Sequence, residues 1–261
     1  EDIIAAARLY GQAGKAMIIY SLGMTEHITG TANVMSLGNL AMLTGNVGCR
    51  STGVMPLRGQ NNVQGACDMG ALPNVHVGYQ PVADASIRSK FEEAWQVKLP
   101  ANIGLTSTQM LEGDQESKIR ALYILGEDPA QTDPDTNRVR TSLEALDFLV
   151  VQEIFPTETT KYADVILPAA SFAECDGTFT NGERRIQRVN KAIPPICGLE
   201  NWQTICLIAQ KMGYSMKYNN PSEIMDEIAA LAPMFAGVSF SRLGSRGLQW
   251  PCPCIGHPGT E

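Results

Sequence analysis

The sequence predicts an α/β protein: parallel-sheet domains whose strands are joined by crossover helices. Three observations carry this. Apolar runs of strand length, rich in Ile, Leu, Val and Tyr, fall at residues 17–20, 121–125, 148–151 and 164–167. Between them, residues 31–43 and 138–146 repeat apolar side chains at helical spacing. Each strand run stops at turn or polar residues: Gly126-Glu127-Asp128-Pro129, Gln152-Glu153 and Pro168. Alternation at these lengths favours parallel pairing with a helix in each crossover.

In chain order, residues 2–10 read as a short helix with Ile3, Ala6, Ala7 and Tyr10 on one side. A strand follows at 17–20, then a turn around Gly23. The helix over 31–43 carries Val34, Leu37 and Ala41 in its apolar stripe and ends at Thr44-Gly45. A polar loop comes next. Residues 75–115 are weakly patterned, with a helix expected over 81–96 around Phe91 and Trp95. After the three strands at 121–125, 148–151 and 164–167, helices are expected over 201–212 and from Pro221 to about residue 231, where proline suits a first helical position. Beyond that the chain is rich in Gly and Pro, and no internal repeat is visible.

The chain has 261 residues, 44% hydrophobic and 18% charged, enough for a substantial core in one or two domains. A net charge of −7 argues against a nucleic-acid surface, which needs basic patches. No apolar run reaches the length of a membrane span, and no signal peptide is visible. The seven cysteines are odd in number and form no Cys-x-x-Cys pair. They read as neither a disulfide framework nor a zinc or iron–sulfur ligand set, so a reducing, cytoplasmic compartment is expected. Cys252-Pro253-Cys254 reads as a pair of proline-flanked surface thiols. The first residue is Glu1 rather than Met, so a fragment or a processed chain is expected.

Function concentrates at residues 56–70. One cation, Arg58, stands among Gln60, Asn61, Asn62 and Gln64, with glycines at 59, 65 and 70. A guanidinium is a rigid fork of donors that suits a carboxylate or phosphate, and the amides donate and accept. The competing reading is an irregular polar loop with Arg58 in a structural ion pair. In an open parallel sheet, ligands sit beyond the carboxyl ends of strands. Residues 21–27, 126–132 and 152–157 occupy such ends. No Gly-x-Gly-x-x-Gly is present, which argues against the usual dinucleotide fingerprint. Asp128 can accept two bonds from a purine edge with adjacent donors, such as guanine, or it can simply start a helix before Pro129. Thr132 is placed for a phosphate or ribose oxygen and Glu153 for ribose hydroxyls. His27 reads as a loop or packing histidine.

The run Arg58-Gly59-Gln60-Asn61-Asn62-Val63-Gln64-Gly65 resembles the catalytic subunit of molybdenum- or tungsten-dependent formate dehydrogenases, in the molybdopterin oxidoreductase superfamily. Three further segments agree in order and spacing. They are Gly23-Met24-Thr25-Glu26-His27 with the run 39–46, Gly126-Glu127-Asp128-Pro129, and Tyr162-Ala163-Asp164-Val165-Ile166-Leu167-Pro168 continuing to Asn181-Gly182-Glu183-Arg184-Arg185. The likeness runs from about residue 17 to residue 253.

The resemblance implies central domains of the formate dehydrogenase/DMSO reductase type. Residues 1–59 and 202–261 would form parts of one discontinuous α/β domain, and residues 60–201 a second that binds the guanine dinucleotide end of the cofactor. The implied cofactor is bis(molybdopterin guanine dinucleotide) with Mo or W. The [4Fe–4S] centre and the Cys or selenocysteine metal ligand of such enzymes would lie outside this chain, which supplies no metal ligand of its own. By the same resemblance Arg58 orients formate or carbon dioxide. Leu22, Glu26 and Gln60 touch the cofactor, and Asp128, Thr132, Gln152, Glu153 and Asn201 hold one guanosine. Glu183, Arg184 and Arg185 receive no catalytic role. Implied partners are the rest of the catalytic subunit and an electron-transfer subunit. Two alternatives stay open: another family member of the nitrate or polysulfide reductase type, and a non-catalytic scaffold subunit of a respiratory complex.

Overall fold

The computed structural model describes residues 1–112 and 119–260. The end of the weakly patterned stretch 75–115 therefore lies outside the described residues. Helix α1 (Asp2–Gln12) leads into β1 (Met17–Tyr20), which ends at the short α2 (Leu22–Thr25). Helix α3 (Gly30–Leu43) then crosses over to β2 (Gly53–Pro56). The two strands pair in parallel, with Met17 opposite Gly53 and Tyr20 opposite Pro56. The buried Asn46 ties the far end of the unit together by accepting from Ala16 N at 2.8 Å. Gly30 is required where α3 begins. A Cβ there would meet the Thr25 carbonyl oxygen at 2.0 Å.

Helix α4 (Val63–Asp68) follows, in part of the stretch expected to be loop. Next come the paired strands β3 (Val75–His76) and β4 (Gln80–Pro81) and then α5 (Ala85–Trp95). The helix expected from residue 81 starts later because Pro81 belongs to β4. Asp84 caps it, accepting from Ser86 N at 2.8 Å and from Ile87 N at 3.3 Å. Helix α6 (Ser107–Glu112) closes this part.

The second parallel unit is β5 (Ala121–Leu125), α7 (Pro129–Thr132), α8 (Thr136–Glu144), β6 (Phe148–Glu153) and β7 (Val165–Pro168), giving a three-stranded sheet in the order β5-β6-β7. Strand β6 runs two residues past the expected end, so Gln152 and Glu153 are strand residues, Gln152 pairing with both Leu125 and Leu167. Leu111, Ala130, Val139, Leu143, Leu149 and Val151 are buried together on one face of this sheet. Burying each Leu or Val contributes on the order of 1.5–3 kcal/mol.

A third sheet is antiparallel: β8 (Gly177–Thr180), β9 (Arg185–Val189) and, after helices α9 (Asn201–Lys211), α10 (Pro221–Leu231) and α11 (Phe240–Leu243), the short β10 (Leu248–Gln249). Its order is β10-β9-β8. Ile186 of β9 packs with Met225, Ala232, Phe235, Val238, Leu243 and Cys252 in a second core, flanked by Met69, Val77 and Trp250. Cys252 is thus a buried core thiol, not the surface thiol its prolines suggested; Cys254 is exposed. Among the described residues no helix is long and apolar enough to cross a membrane.

Candidate functional site

Two strand ends deliver the candidate residues. At the first, β1 and β2 stop side by side and their outgoing loops are tied together. Leu57 N donates to Tyr20 O at 2.7 Å and Ser21 Oγ donates to Leu57 O at 3.2 Å. Residues 56–60 form a wall shared by two clefts. One, of about 570 Å³, is closed on its other side by Phe179, Thr180, Asn181, Gly182 and Glu183 at the β8–β9 turn. The other, of about 260 Å³, is lined by Tyr20, Ser21, Leu22 and Thr25. Arg58 and Gln60 border both, so Leu22, Arg58 and Gln60 meet at one place. Glu26 is exposed at the end of α2 and outside the lining of either cleft. His27 sits in the same loop, its Nε2 2.8 Å from the Gly23 carbonyl oxygen.

Arg58 is exposed on one side and anchored on the other. Its Nη2 donates to Gln64 Oε1 at 3.1 Å. Gln64 is buried and its Nε2 donates to Asp68 Oδ1 at 2.7 Å and to Tyr79 Oη at 3.1 Å. Asp68 is fully buried; it also accepts from Tyr79 Oη at 2.8 Å on Oδ1 and from Trp250 Nε1 at 2.6 Å on Oδ2. Burial pushes the Asp68 carboxyl above the ordinary range, against the pull of Tyr79, Gln64, Trp250 and the Arg58 charge. Local structure explains the convergence. Asn62 adopts a left-handed φ of 69° and starts α4, which puts Gln64 and Asp68 one turn apart on the same face. The turn between β3 and β4, left-handed at Gly78 and Tyr79, brings the Tyr79 hydroxyl onto Asp68.

The second strand end is that of β5-β6-β7. Gln152 is fully buried; it accepts from the Tyr123 hydroxyl, and its Nε2 donates to Asn201 Oδ1 at 3.2 Å. Asn201, the first residue of α9, also accepts from Ala170 N at 2.8 Å and donates to Ala170 O at 2.9 Å. Gln152 and Asn201, 49 positions apart, are therefore in direct contact just past β7. Glu153 bonds its neighbouring amide, Ile154 N to Oε1 at 2.6 Å. Thr132 is exposed and its hydroxyl donates to Asp128 O at 3.0 Å.

Asp128 starts α7 but makes no side-chain cap bond to it. Its Oδ1 instead accepts from Thr159 N at 2.8 Å and Thr159 Oγ1 at 2.6 Å, stapling the end of β5 to the turn after β6. Burial alone would raise this carboxyl, but the hydrogen bonds from Thr159 and its neighbours outweigh it and hold the pKa below the ordinary value. An ionised, half-buried carboxylate at a strand end can accept from a ligand as well.

The turn between β8 and β9 is structural. Arg185 Nε pairs with Glu183 Oε1 at 2.8 Å, and Arg184 lies 5.3 Å over the Trp250 ring. Sequence reasoning missed Asp68, Tyr79 and Trp250, the groups beneath Arg58. The one available signal was the four-residue spacing of Gln64 and Asp68. Among the described residues, no group of three or more His, Cys, Asp or Glu is placed to hold a metal.

The family model for molybdopterin oxidoreductase matches residues 4–211, and the chain belongs to that family. It is 54% identical over its whole length to F420-dependent formate dehydrogenase 2 subunit alpha of Methanococcus maripaludis, covering 39% of that protein. It is 51% identical, also over its whole length, to F420-dependent formate dehydrogenase subunit alpha of Methanocaldococcus jannaschii, again covering 39%. With formate dehydrogenase H of Escherichia coli it shares 48% identity over 96% of this chain and 36% of that one. The chain thus spans about two fifths of the curated relatives it matches. Among solved structures, acetylene hydratase from Pelobacter acetylenicus aligns with 67% of this chain and 23% of its own at TM-score 0.39 and 15% identity, which adds nothing to the fold described above.

Proposed function

We propose that this chain is a central part of a formate dehydrogenase catalytic subunit, interconverting formate and carbon dioxide. The observation that carries the reading is Arg58: an exposed guanidinium, fixed from behind, on the wall between two clefts lined by amides and backbone. Its support is identity of about half to relatives named formate dehydrogenase.

The residues fit a molybdopterin cofactor. The donor set at the first strand end is a cation with Gln60 and Asn61 amides, suited to an anionic, many-toothed ligand. Gln60 and Leu22 would hold the part nearest the reacting centre, with Glu26 beside them. Asp128, Thr132, Gln152, Glu153 and Asn201 would hold a guanosine of the bis(molybdopterin guanine dinucleotide) form. Asp128 would accept from the guanine edge on a carboxylate that is already ionised. Residues 60–201 would form the domain around that end, and residues 1–59 with 202–261 the other, the β9–β10 ladder running across the division. Bound, the Mo- or W-bearing group would take the two electrons released when formate becomes carbon dioxide. Arg58 would grip the two carboxylate oxygens by charge-assisted bonds and orient the anion. The neutral product offers no charge to that fork, which favours its release. A [4Fe–4S] centre and an electron-transfer subunit belong to the same reading. The unbridged thiols fit a reducing, cytoplasmic setting.

The test uses the full-length protein purified without oxygen. Arg58→Ala should cut formate-dependent dye reduction by on the order of 10²–10³ with metal content intact, as for loss of one oriented electrostatic contact. Asp128→Ala should lower pterin and metal occupancy instead. Unchanged turnover in Arg58→Ala overturns its role. Metal without formate activity in the unaltered protein points to a reductase of the nitrate or polysulfide type, and neither metal nor activity points to a scaffold.

A further inference from the structure

We infer that Gln64 and Asp68 form a directional hydrogen-bond relay that sets where the Arg58 guanidinium points into the cleft. The inference rests on the reading that Arg58 takes the substrate anion. Gln64 lines the larger cleft beside Arg58 and Asp68 lines neither; both act through Arg58 and are positioning residues.

A primary amide has a donor end and an acceptor end, and Gln64 uses both. The Asp68 carboxyl accepts on both oxygens, Oδ1 from Tyr79 and Oδ2 from Trp250. Asp68 Oδ1 therefore obliges Gln64 to turn its NH₂ inward, at 2.7 Å, and this leaves Oε1 as the end that meets Arg58 Nη2 at 3.1 Å. Asp68 cannot itself turn, because Trp250 Nε1 holds its other oxygen at 2.6 Å and Tyr79 Oη donates to Oδ1 at 2.8 Å. The relay stands on three separate pieces of chain: α4, the turn before β4, and residue 250, 182 positions from Asp68. Gln64 is buried and Asp68 fully so, whereas Arg58 is exposed, so order is passed from the core to a surface cation.

The amide between the charges matters. A carboxylate in direct contact would occupy the guanidinium fork and neutralise it. Through Gln64, only Nη2 is engaged among the described residues, and Arg58 lines the cleft with its other donors uncommitted.

Reversing the relay tests it. In Asp68→Asn, Trp250 keeps the remaining oxygen, so the new NH₂ faces Gln64. Gln64 must then flip and turn its own NH₂ toward Arg58, two donors facing each other. In the double variant Gln64→Glu/Asp68→Asn, the new amide at position 68 donates to the new carboxylate at position 64, so the buried bonds are restored but a carboxylate now meets Arg58 directly. The measurement is titration calorimetry of the loaded, oxidised full-length protein with nitrite, a bent O–X–O monoanion shaped like formate, alongside formate KM and kcat.

Asp68→Asn should weaken nitrite binding by about tenfold or more, the size expected for misplacing one charged contact, and should raise KM. The double variant should recover stability in urea unfolding but not nitrite affinity, because its carboxylate occupies the Arg58 fork. Gln64→Met, which removes the acceptor without touching Asp68, should weaken binding similarly if Asp68→Asn fails to fold. Unchanged affinity in both single variants overturns the relay. So does recovery of nitrite affinity together with stability in the double variant, since a merely structural Asp68 would need only the restored bonds. Unchanged affinity in Arg58→Ala instead overturns the substrate role of Arg58, which keeps the two failures apart.

Discussion

Trp250 Nε1 donates to Asp68 Oδ2 at 2.6 Å, joining the last loop of the chain to the end of α4 across 182 positions. This bond holds a fully buried carboxylate that has no ion-pair partner in contact with it among the described residues, only dipoles from Gln64, Tyr79 and Trp250. Such a group is expensive to bury and costly to leave short of donors.

Trp250→Phe keeps the ring and removes the donor. It should destabilise the fold by about 1.5–3 kcal/mol in urea unfolding at neutral pH, the range for a bond to a charged group. The pH dependence has a definite sign. Asp68 holds its proton more tightly folded than unfolded, so its contribution to stability is fully present below the ordinary carboxylate range and is lost as pH rises through the folded value. Removing a donor raises that folded value further. The cost of Trp250→Phe should therefore be largest at neutral pH and shrink in acid. A cost independent of pH would mean that Trp250 contributes by packing alone.

Asp128 responds in the opposite direction. Its carboxyl is held below the ordinary value, so the stability it contributes is present above the ordinary range and is lost as pH falls through the folded value. Thr159→Val removes the hydroxyl that donates to Asp128 Oδ1 at 2.6 Å and accepts from Ala130 N at 3.1 Å. Urea unfolding should show a loss of about 1–2 kcal/mol at neutral pH, narrowing toward pH values below the ordinary carboxylate range. An equal loss at both ends would assign the whole effect to the Ala130 amide.

The parallel units were legible because their signals are local. Residues 121–125 and 148–151 are apolar runs bounded by turn residues, and both are strands. Pro221 starts α10 with Asn220 as its cap. What stayed hidden depended on distant partners. Strand β2 has only four residues and exists because β1 pairs with it. Strands β8 and β9 surround a polar turn whose charges mask the period of two. Helix α4 is six residues of mixed polarity, and its polar side chains are buried only because Tyr79 and Trp250 arrive to pair with them. For the candidate site, Arg58 and Gln60 stood out by residue type and Leu22 by the resemblance, and the three line one cleft. The anchoring of Arg58 was not, since Trp250 lies in a Gly- and Pro-rich tail that carries no periodic signal.

Gly65 tests whether the position of the Arg58 loop depends on its contact with β8. A Cβ at residue 65 would lie 2.1 Å from Asn62 Oδ1, the same oxygen that accepts from Thr180 N at 2.9 Å. Asn62 is also the left-handed residue that turns the chain into α4. Gly65→Ala must therefore push the Asn62 amide off the strand, because the clash falls on a side chain already committed to a bond. Overpacking of this kind costs about 1–3 kcal/mol, to be read from urea unfolding. The loss should extend to anion affinity, since Gln64 and Arg58 hang on the helix that Asn62 starts. Recovery by Asn62→Gly in the Gly65→Ala background would follow for stability, because glycine accepts the left-handed φ and removes the clash. Affinity should recover only in part, the tie to Thr180 being gone. Full affinity in Gly65→Ala would show that the loop keeps its place without β8.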